Sequence, residues 1–287
     1  MKRQIAALFL ASSVVFAGCA STSNEKNDSN VNNASVNNGS DAGASQINWE
    51  QIVADYRAFA TEQADTAIIE TEKFTNAVKS GDIETAKKLY APTRMYFERI
   101  EPIAEAMGDL DPNIDAREND VEEKDWRGFH RIEQALWVNN STVGQEGYAD
   151  QLLKDVKQLR ALMETVEVEP SLMVTGAVEL LNEVSSSKVT GEEERYSHTD
   201  LYDFVANVEG AKKIYVLLQP ELAKKDAELD KQIGSSFTNL ENALAAYKTG
   251  DGYKSYLDLK EEDTRKLSQL LDALAEPLSQ MGTTLGV

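Results

Sequence analysis

His130 and Glu133 stand three residues apart, and so do Glu98 and Glu101. On a helix this spacing puts both members of a pair on one face, so an imidazole nitrogen and a carboxylate can converge on a single ion. Two such helices packed side by side present His, Glu, Glu and Glu inward, which is how helical bundles hold carboxylate-bound iron or manganese. Asp115, between the two pairs, completes the candidate metal set of His130, Glu133, Glu98, Glu101 and Asp115. His-x-x-Glu alone is a weak pattern, since solvated helices carry many Glu pairs and a core histidine satisfied by one carboxylate reads the same way. The surroundings add weight. His130 lies among Phe129, Ile132, Leu136 and Trp137 as if facing a core, and residues 98–125 hold eleven acidic side chains against three basic ones.

Helices must position these groups. Trp49, Ile52, Val53, Tyr56, Phe59 and Ala60 recur at three- and four-residue steps, with Asn48 and Gln51 resembling a capping box. Gly81-Asp82 marks a turn into a second helix ending near Met107. Further helices are predicted over 125–140, 146–168, 171–187, 199–219, 221–249 and 253–281, with Pro220 placed to open the one that follows it. Strictly alternating β-branched runs are missing, so the expected fold class is all-α. Ala77–Asp82 and Ala246–Asp251 echo each other, as do Glu101-Pro102 and Glu276-Pro277. Two four-helix bundles joined near 165–190 would account for that echo, as would chance likeness between amphipathic helices. At the matching offset Glu98 becomes Ala273, so helix packing alone does not require the acid.

The chain of 287 residues has 29 basic and 49 acidic residues, a net charge of −20, and one cysteine. That surplus excludes a nucleic-acid binder, which needs a basic footprint. A single cysteine excludes a disulfide scaffold and a Cys-rich metal site. Lys2 and Arg3 followed by the apolar run Ile5–Phe16 and Ala17-Gly18-Cys19 resemble a bacterial lipoprotein signal, with 1–18 removed and Cys19 lipidated. Residues 19–47 then read as a tether. Seven Asn and six Ser among residues 20–47 cannot bury enough surface to fold, and as a coil the segment reaches roughly 30 Å. The folded unit is expected over 48–287.

Tyr90-Ala91-Pro92-Thr93-Arg94-Met95, Glu98-Arg99-Ile100-Glu101-Pro102, Asp115-Ala116-Arg117-Glu118, Gly128-Phe129-His130-Arg131-Ile132-Glu133 and the stretch Gly191–Leu201 resemble the imelysin-like iron-transport lipoproteins of the EfeO/EfeM type. The likeness covers essentially all of 48–287. It implies two four-helix bundles forming one unit with a cleft between them. It also implies a periplasmic, lipid-anchored component of a ferrous-iron uptake system that passes iron, as Fe2+ or Fe3+, to a membrane permease. Gly128, His130 and Glu133 match the family's metal-binding Gly-x-His-x-x-Glu, and Glu98, Glu101 and Asp115 match its further ligands. Some relatives carry an N-terminal cupredoxin-like domain, in whose place this sequence has the Asn/Ser tether, so copper-dependent oxidation is not carried over.

Two other classes compete. The wider family has been grouped with zinc metallopeptidases, in which His198 would be the distant third ligand and Zn2+ the ion. No separate substrate-polarising arrangement is visible, and carboxylate donors suit iron as well as zinc. Binding of an acidic polysaccharide, implied by other relatives, is opposed by the negative charge. His198, Glu194 and Asp200 are kept as secondary metal candidates, although Thr199 or Asp200 could equally cap the next helix.

Overall fold

The computed structural model describes residues 47–287. The expected lipoprotein signal, Cys19 and the expected tether up to residue 46 lie outside the described residues. The fold is all-α, as the periodicity predicts. In chain order the helices are α1 (Trp49–Ser80), α2 (Ile83–Glu98), α3 (Leu110–Asp115), α4 (Phe129–Trp137), α5 (Glu146–Leu162), α6 (Pro170–Ser186), α7 (Asp200–Lys225), α8 (Ala227–Ala245) and α9 (Glu261–Leu285). Short 3-10 turns follow α2 (Glu101–Met107) and α6 (Lys188–Thr190). A two-residue hairpin, β1 (Lys248–Thr249) and β2 (Gly252–Tyr253), precedes α9.

α1 begins where Asn48 accepts a hydrogen bond from the Gln51 N–H and ends at Gly81, whose left-handed φ of 79° closes the last turn. Tyr56, Ala60, Ala64, Ala67, Thr71, Phe74 and Val78 form its buried stripe. The three alanines let α2 and α5 approach closely, and both pack along α1. The short α4 lies against α2 and α5. α3 lies against α5 as well, and α6 to α9 form a second group in which α6 packs on α7 and α9, and α8 packs on the same two. α7 belongs to both groups, because it also packs against α1 and α2.

Several boundaries differ from the periodicity, the start of α9 at Glu261 rather than 253 among them, and three differences have a local reason. Pro220 lies inside α7 rather than opening α8. The hydrogen bond it cannot make would reach back to Val216, which is 46% exposed, so water can satisfy the freed carbonyl. The break comes at Asp226, whose carboxylate accepts the Leu229 N–H at 2.9 Å. The second predicted helix ends at Glu98, and the chain to Met107 is 3-10. There α6 packs so closely that a Cβ on Gly176 would lie 1.8 Å from the Pro102 carbonyl oxygen. Finally, Gly250-Asp251 turns a hairpin, whereas Gly81-Asp82 joins two helices, so the two copies of the echo differ in structure.

Candidate metal centre

Tyr90, Arg94 and Glu98 stand four residues apart on one face of α2, and all three are fully buried. α4 brings His130 and Glu133 to them. Gly128 starts α4 at φ 92°, and a Cβ there would lie 2.2 Å from the Ile114 carbonyl oxygen, so only glycine lets α4 begin against the end of α3. The chain between α6 and α7 adds Lys188, Glu193 and Glu194. α7 contributes Asp200, Asp203 and Asn207 at positions of its buried stripe.

His130 is 1% exposed and offers both ring nitrogens to acids. Nδ1 lies 3.1 Å from Glu133 Oε2 and 3.4 Å from the Tyr90 hydroxyl. Nε2 has no hydrogen-bond partner and faces Asp115 Oδ1 at 3.6 Å and Glu193 Oε1 at 3.9 Å. Two groups of ligand atoms therefore meet at one imidazole: Asp115, His130 and Glu193 on the Nε2 side, and His130, Glu133 and Glu194 on the Nδ1 side, each within 4.8 Å of one another. Asp115 and Glu193 line a cavity of about 440 Å³, whose wall includes Glu101, Asp111, Arg117 and Glu183. Glu133 and Glu194 are fully buried behind it.

Glu98 and Glu101 are placed differently. Lys188 Nζ bonds both, at 3.1 Å to Glu98 Oε2 and 3.0 Å to Glu101 Oε2, and Asn207 Nδ2 donates to the same two carboxylates. Arg94 reaches Glu98 at 2.5 Å, Glu194 at 2.6 Å and Asp203 at 3.3 Å, and also bonds Asp115. The structure thus brings Asp115, His130, Glu133 and Glu194 together, while protein cations hold Glu98 and Glu101 alongside. Asp200 accepts the Glu194 N–H at 3.1 Å and so sets that turn, rather than capping α7. His198 belongs to neither ligand group. It holds a left-handed φ of 57°, and its carbonyl accepts the Tyr256 N–H.

The candidate set read from the sequence leaves out Glu193, Tyr90, Arg94, Lys188, Asp203 and Asn207, which the structure places around it. Some of them left a signal. Tyr90 and Arg94 precede Glu98 by eight and four residues, hence on its face of the helix, and Asp203 and Asn207 interrupt an otherwise apolar stripe of α7.

The electrostatics follow from crowding. Glu98, Glu101, Asp115, Glu193, Glu194 and Asp203 surround two buried fixed cations, Arg94 and Lys188, and Glu133 and Asp200 are buried beside them. Burial pushes Glu194, Glu101 and Asp203 well above the usual carboxylate range, and raises Asp115. Burial with the nearby Asp115 charge lifts Asp111 to about 7. For Glu133 the opposite outcome holds: burial is outweighed by His130 and by the Ser197 N–H, leaving it at about 2. Lys188 and Arg94 overcome burial at Glu98 and lower it. A cation entering this cluster would replace protons as the neutralising charge.

Fold and site together define a class: an all-α protein whose core holds a histidine–carboxylate cluster able to ligate a metal ion. The chain belongs to the imelysin family, whose profile, Peptidase M75, matches residues 52–281. It is 45% identical over 286 residues to an Efem/EfeO family lipoprotein of Staphylococcus haemolyticus (strain JCSC1435), covering 97% of this chain and 98% of that protein. It is 47% identical over 236 residues to the iron uptake system component EfeO of Escherichia coli (strain K12), covering 81% of this chain and 63% of the relative. EfeO of Shigella flexneri matches to the same extent. The chain therefore spans less than two thirds of the length of these EfeO proteins.

Proposed function

We propose that this protein is an extracytoplasmic iron-binding component of an iron uptake system. In this reading it is lipid-anchored through Cys19 in the periplasm and passes its ion to a membrane permease. The relatives' names support the iron uptake role, and the sequence of residues 1–19 supports the anchor. The observation that carries the reading is the buried, unpartnered Nε2 of His130 facing Asp115 and Glu193, in a core with an excess of carboxyl groups. An imidazole with carboxylates is a donor set for iron, and Zn2+ can occupy it too. Iron enters from the cavity side, where Asp115 and Glu193 are the first ligands it meets, and His130, Glu133 and Glu194 hold it further in. Glu98 and Glu101 act through Arg94 and Lys188, which fix the ligating acids.

Equilibrium iron titration of the wild type, His130→Ala and Glu98→Ala tests this. His130→Ala weakens binding by roughly 100-fold or more, about 2.8 kcal/mol, and Glu98→Ala by roughly 10-fold, as expected of a supporting residue. Unchanged affinity in both variants rejects the site. Metal-dependent peptide cleavage abolished in His130→Ala would favour the peptidase reading instead.

A further inference from the structure

The iron-binding reading uses imidazole and carboxylate donors. A third kind of donor, a phenol oxygen, lies among them. The Tyr90 hydroxyl is 3.4 Å from His130 Nδ1 and 3.3 Å from Glu194 Oε1, to which it donates. It is fully buried, and its ring is wedged between Phe74, Phe129 and Trp137 with centroids 5.8, 6.2 and 5.3 Å away, so the packing fixes where the oxygen points. Those two polar contacts are long for a buried hydroxyl, since an O–H···O bond ordinarily closes to about 2.7–2.8 Å. They match another geometry. Neighbouring ligands of one octahedral ion, each bonded at about 2.1 Å, sit about 3 Å apart. The separations around His130 Nδ1, 3.1 Å to Glu133 Oε2 and 3.4 Å to the Tyr90 oxygen, are close to that spacing.

We propose that Tyr90 is an iron ligand on the Nδ1 side of His130, together with Glu133 and Glu194, and that its phenolate oxygen gives the site a preference for ferric over ferrous iron. The proposal rests on the iron-binding reading and adds a ligand and an oxidation-state selectivity to it. A phenolate is a hard, anionic oxygen donor, and it strengthens binding of a hard trivalent ion more than that of a divalent one. Coordination forms an oxygen–iron bond and releases the hydroxyl proton to solvent, with no change in the oxidation state of the metal. The surplus of carboxyl groups over Arg94 and Lys188 suits a triply charged guest. Zn2+ and Fe2+ need only the imidazole and carboxylates, so their binding is nearly independent of the phenol.

The test loads the full chain with iron from ferric nitrilotriacetate, measures iron content by elemental analysis, and records the visible spectrum and resonance Raman scattering. Bound ferric iron is expected to give a tyrosinate-to-iron charge-transfer absorption with tyrosinate Raman bands. Tyr90→Phe, which keeps the ring packing, loses both signals and loses at least tenfold in ferric affinity, while Zn2+ affinity changes less than threefold. Tyr56→Phe, which alters a buried tyrosine on α1 away from the site, keeps them. Stoichiometric ferric iron without those signals in the wild type overturns the proposal and leaves the iron-binding reading intact. Signals that survive Tyr90→Phe overturn it as well. Failure of the wild type to take up iron or Zn2+ overturns both. The wild-type Raman spectrum needs no variant, so poor folding of Tyr90→Phe leaves the test decisive.

Discussion

His130 and Glu133 were legible because three residues of separation on a helix is a local statement, and the carboxylate that completes the pair follows from it. Glu193 and Lys188 were not, since the pairs Glu193–His130 and Lys188–Glu98 span 63 and 90 positions of chain and exist only once α2, α4 and α7 are packed. The same crowding gives the metal-free protein an unusual pH dependence. Asp111 and Asp200 have ordinary values of 3.8 but are raised to about 7 and about 6, mainly by burial, so the folded state binds their protons more tightly than the unfolded chain does. Their stabilising contribution is complete below 3.8 and is lost as pH rises through about 6 and about 7. Glu133 has the opposite sign: its contribution is present above 4.5 and is lost as pH falls towards 2. After chelator treatment the urea midpoint is therefore expected to decline from pH 5 to pH 7, measured by circular dichroism at fixed ionic strength. A midpoint that climbs steadily over that interval would contradict the arrangement of buried acids.

At the scale of elements, helix existence followed from apolar stripes, and helix ends followed less well. A stripe reports which face is buried, whereas an end is decided by one or two hydrogen bonds. Asn48 was readable because its side chain caps α1 locally. Pro220 misled because the cost of a proline depends on what becomes of the carbonyl four residues earlier, and exposure of Val216 is a property of the packed molecule. The single carboxylate that does separate α7 from α8 belongs to Asp226. Asp226→Ala is expected to cost about 1 kcal/mol through loss of the N-cap, which lowers the melting temperature by roughly 2–4 °C for a domain of this size. Asp226→Ser or Asp226→Asn restores most of it. Calorimetry on the three variants checks the assignment, and a neutral alanine variant would mean that the cap contributes nothing and that Pro220 sets the boundary after all.

For the whole molecule the charge is concentrated on the folded unit, because the first 46 residues hold three acidic and three basic side chains and the net −20 falls on the rest. Such a field does not specify the fold, but it governs how fast cations arrive. The cavity lined by Asp115 and Glu193, the two acids that face His130 Nε2, is also walled by Asp111 and Glu183 with Arg117 as the counter-charge, so the long-range attraction ends at a local acidic mouth. Screening separates the two contributions. Between 0.01 M and 0.15 M salt the Debye length shrinks from about 30 Å to about 8 Å, which removes attraction from the distant surface but leaves the interactions among buried ligands nearly intact. The association rate of Zn2+, used as a soluble probe and followed by stopped-flow fluorescence of Trp126 and Trp137, is expected to fall roughly tenfold over that range. If the proposed site holds the ion, the dissociation rate is set by the buried His130 cluster and is expected to change much less. An association rate insensitive to salt would show that surface charge does not guide the ion. A dissociation rate as salt-sensitive as association would place the bound ion at the exposed mouth of the cavity instead of beside His130.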